Sequence, residues 1–140
     1  RLFGYVEQSF HLVEGTVAEQ ISLFDPAVAR KQVENAAKVV GLHDSILALP
    51  DGYDTPASEA AFSQGQFQLL SIARAVAASP EILLLDEITA NLDSDTEQRV
   101  LDALGRAAEG RTVLSISHRL QEHVNGQRMI RIGESNDEVV

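Results

Sequence analysis

The 140-residue chain has no cysteine and no tryptophan. Without cysteine there can be no disulfide and no thiolate metal site, which suits a reducing compartment. Lysine is scarce. Lys31 and Lys38 are the only two; they follow Arg30 and Ala37 and precede Gln32 and Val39. Neither fits G-x-x-x-x-G-K-[ST], so the sequence contains no phosphate-binding loop of that type. No run approaches the ~18 consecutive apolar residues that span a bilayer. A net charge of −10 leaves little for a phosphate-backbone-binding surface, which is rich in Lys and Arg. That balance does not exclude a nucleotide, which backbone N–H groups and a metal can hold. Arg1-Leu2-Phe3-Gly4 has no apolar signal-peptide core and no initiator Met, as expected of a piece of a longer protein.

The chain has enough apolar residues, 44%, for a real core. Leu2 to Val6 is predicted as a short strand, and Thr16 to Leu23 as a short helix. Asp25-Pro26 is predicted to start a helix running through Val33, Ala36, Ala37 and Val40 to Gly41. His43 to Leu49 adds a turn or two, and Pro50-Asp51-Gly52 opens a loop reaching Ala61. Ser63 and Gln66 form an S-x-x-Q capping box before an apolar face at Leu69, Leu70, Ile72, Ala73 and Val76. Ile82 to Asp86 is a buried strand. Ser94 and Glu97 are predicted as a second capping box, opening a helix through Val100, Leu101 and Leu104. Thr112 to Ile116 is a strand, a short helix follows His118, and Met129 to Ile132 is the last strand. Strands alternating with helices imply a parallel sheet with crossover helices. The strand-free stretch from Gly15 to about Ala78 reads as an inserted helical subdomain.

Several of these places suit phosphate chemistry. Ile82-Leu83-Leu84-Leu85-Asp86-Glu87 delivers two carboxylates at the C-terminal tip of a strand, the edge where open α/β sheets bind ligands. Carboxylates there suit a hard divalent cation and an attacking water; the plainer reading is a strand turning polar as it leaves the core. Phe62-Ser63-Gln64-Gly65-Gln66 opens a helix whose free N–H groups and dipole favour an anion. Ser63 adds a hydroxyl, and Gly65 permits close approach of a ligand; the plainer reading is an ordinary capped helix. Gln8 follows the first strand and His118 follows the third. Asp93 suits a helix N-terminus. His11, His43 and His123 match no motif and are expected on the surface.

In this order the motifs resemble the ATP-binding cassette of ABC transporters, from Tyr5 to about Gly133. The resemblance implies an α/β fold, a partial P-loop NTPase (RecA-like) parallel sheet with an inserted helical subdomain. It divides the chain into a Q-loop strand and loop (1–14), a helical subdomain carrying the signature helix (15–78) and the C-terminal part of the α/β core (79–140). It also implies site roles. Asp86 and Gln8 would serve Mg²⁺, Glu87 would polarise water, and His118 would contact the γ-phosphate of ATP. Ser63, Gln64, Gly65 and Gln66 correspond to the LSGGQ signature, and Asp93 lies in a segment, Thr89 to Asp93, resembling the D-loop that crosses to a partner subunit. Phe62 stands for Leu, Gln64 for the first Gly, and Glu7 for the usual Pro before Gln8.

Gly52 to Thr55 and Glu59 loosely resemble the exporter-type loop that touches transmembrane domains. The family places its phosphate loop before the Q-loop strand, so this chain is expected to lack it and to be inactive alone. The implied partners are a second nucleotide-binding domain, identical or not, and transmembrane domains at the cytoplasmic face of the membrane, with no nucleic acid. Two alternatives stay open: a non-catalytic docking or dimerisation fragment, and a soluble cassette ATPase.

Overall fold

The computed structural model describes residues 3–7, 10–86, 93–116 and 129–132. Four strands form one sheet: β1 (Phe3–Val6), β2 (Ile82–Asp86), β3 (Thr112–Ile116) and β4 (Met129–Ile132). They lie in the order β1-β2-β3-β4, and every neighbouring pair is parallel. The fold is α/β, as the alternation of strands and helices predicts. Between β1 and β2 come α1 (Val17–Ser22), α2 (Arg30–Val40), α3 (His43–Leu47) and α4 (Gln64–Val76); α5 (Ser94–Ala107) joins β2 to β3.

Helix α4 is the hub. It packs against β1, α1, α2 and α5. Its contact with β1 is so close that a Cβ on Gly4 would collide with the Ala75 carbonyl oxygen. Leu70, Ile72 and Ala73 are fully buried, in one core with Val6, Leu83 and Val113 of the sheet. The other side of the sheet is more open: Phe3 and Tyr5 are each nearly half exposed.

The capping signals work where a side chain can reach the free N–H groups. Thr16 and Glu19 form a reciprocal capping box on α1, and Ser63 and Gln66 do so on α4. Gly41 ends α2 in the left-handed conformation, φ 81°.

Two predicted helix starts are corrected. Asp25-Pro26 opens a turn, with Asp25 Oδ1 accepting from the Ala27 N–H at 2.9 Å and its carbonyl from Val28 at 3.0 Å. Asp25 thereby bonds locally instead of capping, and α2 begins only after Ala29. The N-cap of α5 is Asp93 rather than Ser94: the Thr96 N–H reaches Asp93 Oδ1 at 2.8 Å. The helix expected after His118 lies outside the described residues.

Candidate functional site

Because β1, β2 and β3 are parallel neighbours, their C-terminal ends share one edge of the sheet. In sequence, Gln8 comes two residues after β1, Glu87 one after β2 and His118 two after β3. All three lie outside the described residues, as do Thr89 to Leu92. Of the site residues expected at this edge from the sequence, Asp86 is the one that is described. It is the last residue of β2 and half-buried. Its Oδ2 accepts a hydrogen bond at 3.2 Å from the phenol of Tyr5 on β1. The Tyr5 pKa is raised, first by loss of solvent and then by that bond to Asp86.

Among the described residues no group of three or more His, Cys, Asp or Glu side chains gathers as a metal cage. A single strand-tip carboxylate is nevertheless the donor set that Mg²⁺ uses with phosphates, since that ion takes one or two carboxylates and keeps several waters. Asp86 fits that chemistry.

The segment leaving β1 is tied to α4. Ser71 Oγ accepts from the Glu7 N–H at 3.2 Å and donates to the Glu7 carbonyl at 3.4 Å. Phe10 stacks on Phe67 with ring centroids 5.6 Å apart, and the Arg74 guanidinium lies 4.2 Å from the Phe10 centroid. Arg74 also donates to the backbone carbonyls of Gln20, at 2.6 Å, and His11, at 3.3 Å. Burial lowers its pKa below the usual arginine value. Gln20, fully buried, holds Val13 from both sides: its Oε1 accepts from the Val13 N–H at 2.9 Å and its Nε2 donates to the Val13 carbonyl at 2.7 Å. Nothing in the spacing of Tyr5, Gln20, Ser71 or Arg74 signals these roles, because each depends on a partner brought near by folding.

At the start of α4, Ser63 Oγ accepts from the Gln66 N–H at 3.1 Å while Gln66 Oε1 accepts from the Ser63 N–H at 2.9 Å. The Ser63 hydroxyl keeps its own proton to donate. Ser63 and Gln64 are exposed, and Gly65 is buried. A Cβ on Gly65 would collide with Thr96 Cγ2, so helix packing alone favours glycine here. Asp93 is exposed, and its carboxyl is held below the usual range, first by the Thr96 N–H and then by the Thr96 side chain. Its capping role is therefore real, whatever else it contacts.

The loop after α3 is anchored through Tyr53. That residue is buried, and its phenol lies 2.7 Å from His43 Nδ1. Its pKa is pushed up to about 12 by burial and then by Glu34. His43 is thus half-buried and engaged rather than a plain surface residue; His11 is exposed as expected, and His123 lies outside the described residues. Asp54 pairs with Arg30 at 2.6 Å, while Glu59 is exposed.

The family profile for ABC transporters matches residues 1–90. The chain belongs to the ABC transporter family. This ABC chain is 44% identical over 131 residues to the mycobactin import ATP-binding/permease protein IrtA of Mycolicibacterium smegmatis, covering 93% of the chain and 15% of that protein. It is 46% identical over 119 residues to the uncharacterized ABC transporter ATP-binding protein YfiC of Bacillus subtilis, covering 84% of the chain and 20% of the relative. It is 42% identical over 132 residues to the ABC multidrug transporter MDR2 of Trichophyton rubrum, covering 91% of the chain and 10% of the relative. The chain therefore spans a fifth or less of these relatives. Among its described residues no helix is long and apolar enough to cross a membrane.

Proposed function

We propose that the intact protein binds and hydrolyses ATP to drive transport across a membrane, as an exporter-type ABC transporter. What carries the reading is the shared edge of β1, β2 and β3, where Asp86 stands and after which Gln8, Glu87 and His118 follow in family order. Asp86 and Gln8 serve Mg²⁺, which when bound neutralises charge on the phosphates. Glu87 orients and polarises the attacking water, and His118 contacts the γ-phosphate. Ser63, Gln64, Gly65 and Gln66 at the N-terminus of α4, with Asp93, close over the nucleotide of a second cassette. The partners are that cassette and transmembrane domains, and the place of action is the cytoplasmic face of the membrane. Residues 15–78 act as the helical subdomain, and residues 1–14 and 79–140 belong to the α/β core.

Residues 1–140 alone are inactive in this reading. They contain no G-x-x-x-x-G-K-[ST] loop, whose N–H donors and lysine hold the β- and γ-phosphates.

Glu87→Gln in the full-length transporter tests the catalytic assignment. The change keeps size and removes the charge. Loss of a group acting only in the transition state lowers kcat while ATP binding persists. Hydrolysis near the wild-type rate removes Glu87 from the catalytic role.

A further inference from the structure

Tyr5 pairs in register with Leu84, and Asp86 stands two residues further along β2. Side chains two apart share a face of a strand, so Tyr5 and Asp86 rise from the same side of the sheet on neighbouring strands. The tyrosine is long enough to cover that offset, and its phenol meets Asp86 Oδ2 at 3.2 Å.

A carboxylate on its own turns broadly about its terminal torsion. A donor on one oxygen narrows that rotation and leaves the second oxygen for a cation or a cation-bound water. Both strands belong to the parallel ladder, so the backbone fixes the separation of donor and acceptor. We propose that Tyr5 is a positioning residue for the Asp86 carboxylate, setting its orientation toward the divalent cation that accompanies ATP. The proposal rests on the reading of Asp86 given above. Tyr5 does not touch the nucleotide and takes no part in bond breaking; it acts through Asp86. Outer partners of this kind change metal affinity by about 10- to 100-fold. The bond here is exposed, so the low end of that range applies.

The experiment uses the full-length transporter with Mn²⁺ as a spectroscopic probe. Mn²⁺ binding in the presence of ATPγS is followed by electron paramagnetic resonance, and metal-free ATP binding is measured separately in EDTA. Tyr5→Phe removes only a hydroxyl from a side chain that is 45% exposed, so the fold is retained. The expected result is Mn²⁺ affinity lowered about tenfold, with metal-free ATP affinity unchanged. Mn²⁺ affinity within about twofold of wild type, or a parallel fall in metal-free binding, overturns the proposal. Asp86→Asn separates the two layers. If it removes Mn²⁺ binding while Tyr5→Phe is silent, the role of Tyr5 alone falls. If Asp86→Asn leaves Mn²⁺ binding intact, the metal assignment of Asp86 falls and the role of Tyr5 with it.

Discussion

Gly65 and Thr96 meet across the first turns of α4 and α5, so closely that a Cβ on Gly65 would collide with Thr96 Cγ2. Gly65→Ala is expected to destabilise the protein by the ~1–3 kcal/mol typical of overpacking. Thr96→Ser deletes the opposing methyl and keeps the hydroxyl beside Asp93, so the double variant should recover most of that loss in a thermal melt. If stability returns but ATP turnover does not, the glycine is also needed on its ligand side. If the double variant melts no higher than Gly65→Ala, the collision is not the cause.

Asp93 should make stability depend on acid. Its folded-state pKa is depressed by the Thr96 N–H, so it stabilises the fold above its unfolded pKa of about 3.9. That contribution is lost as pH falls through the lower, folded value. Asp93→Asn keeps a capping oxygen and removes the charge. The difference in melting temperature between wild type and Asp93→Asn should be largest near neutral pH and shrink below about pH 4. A difference constant from pH 6 to 3 would mean that the cap works without its charge.

Gln20 is the buried clamp on the segment after β1, bonded to both backbone groups of Val13 and to the Thr16 carbonyl at 3.2 Å. Gln20→Leu fills similar space but strands the N–H and carbonyl of Val13, while the Thr16 carbonyl keeps its bond from the residue 20 N–H at 3.1 Å. Each buried polar group left unpaired costs about 1–3 kcal/mol. The variant should lose several-fold hydrogen-exchange protection at the Val13 amide before global unfolding. Unchanged protection there would show that water replaces the glutamine.

Gln64 stands exposed as the first residue of α4, where the family signature carries glycine, while Glu87 and His118 keep the family residues. This asymmetry predicts a heterodimer with two unequal ATP sites, the partner cassette lacking its catalytic glutamate. Sequencing the neighbouring gene and purifying the complex check it. An active homodimer hydrolysing equally at both sites would sink it.

Much of the fold is legible in order along the chain. The apolar run Ile82 to Leu85, the β-branched residues Thr112, Val113 and Ile116 and the S-x-x-Q box at Ser63 each announce their element, because residue type and capping are local properties. Starts of helices read less well. Asp25 and Ser94 have the right chemistry for a cap, but Asp25 bonds into its own turn and Asp93 reaches Thr96 first. At the candidate site, Gln8, Glu87 and His118 are named from motif order alone, and all three lie outside the described residues.

The sequence by itself determined the family, the alternation of strands and helices, and the carboxylate at the tip of β2. Those depend on residue type and spacing over a few turns of chain. Only the tertiary structure decided what surrounds them. The Tyr5–Asp86 bond joins residues 81 apart in sequence, and the Ser71–Glu7 pair residues 64 apart. The Gly65–Thr96 contact needs α4 and α5 packed together. Such partners are chosen by strand register and helix packing, which act across the whole core and leave no local trace in the chain.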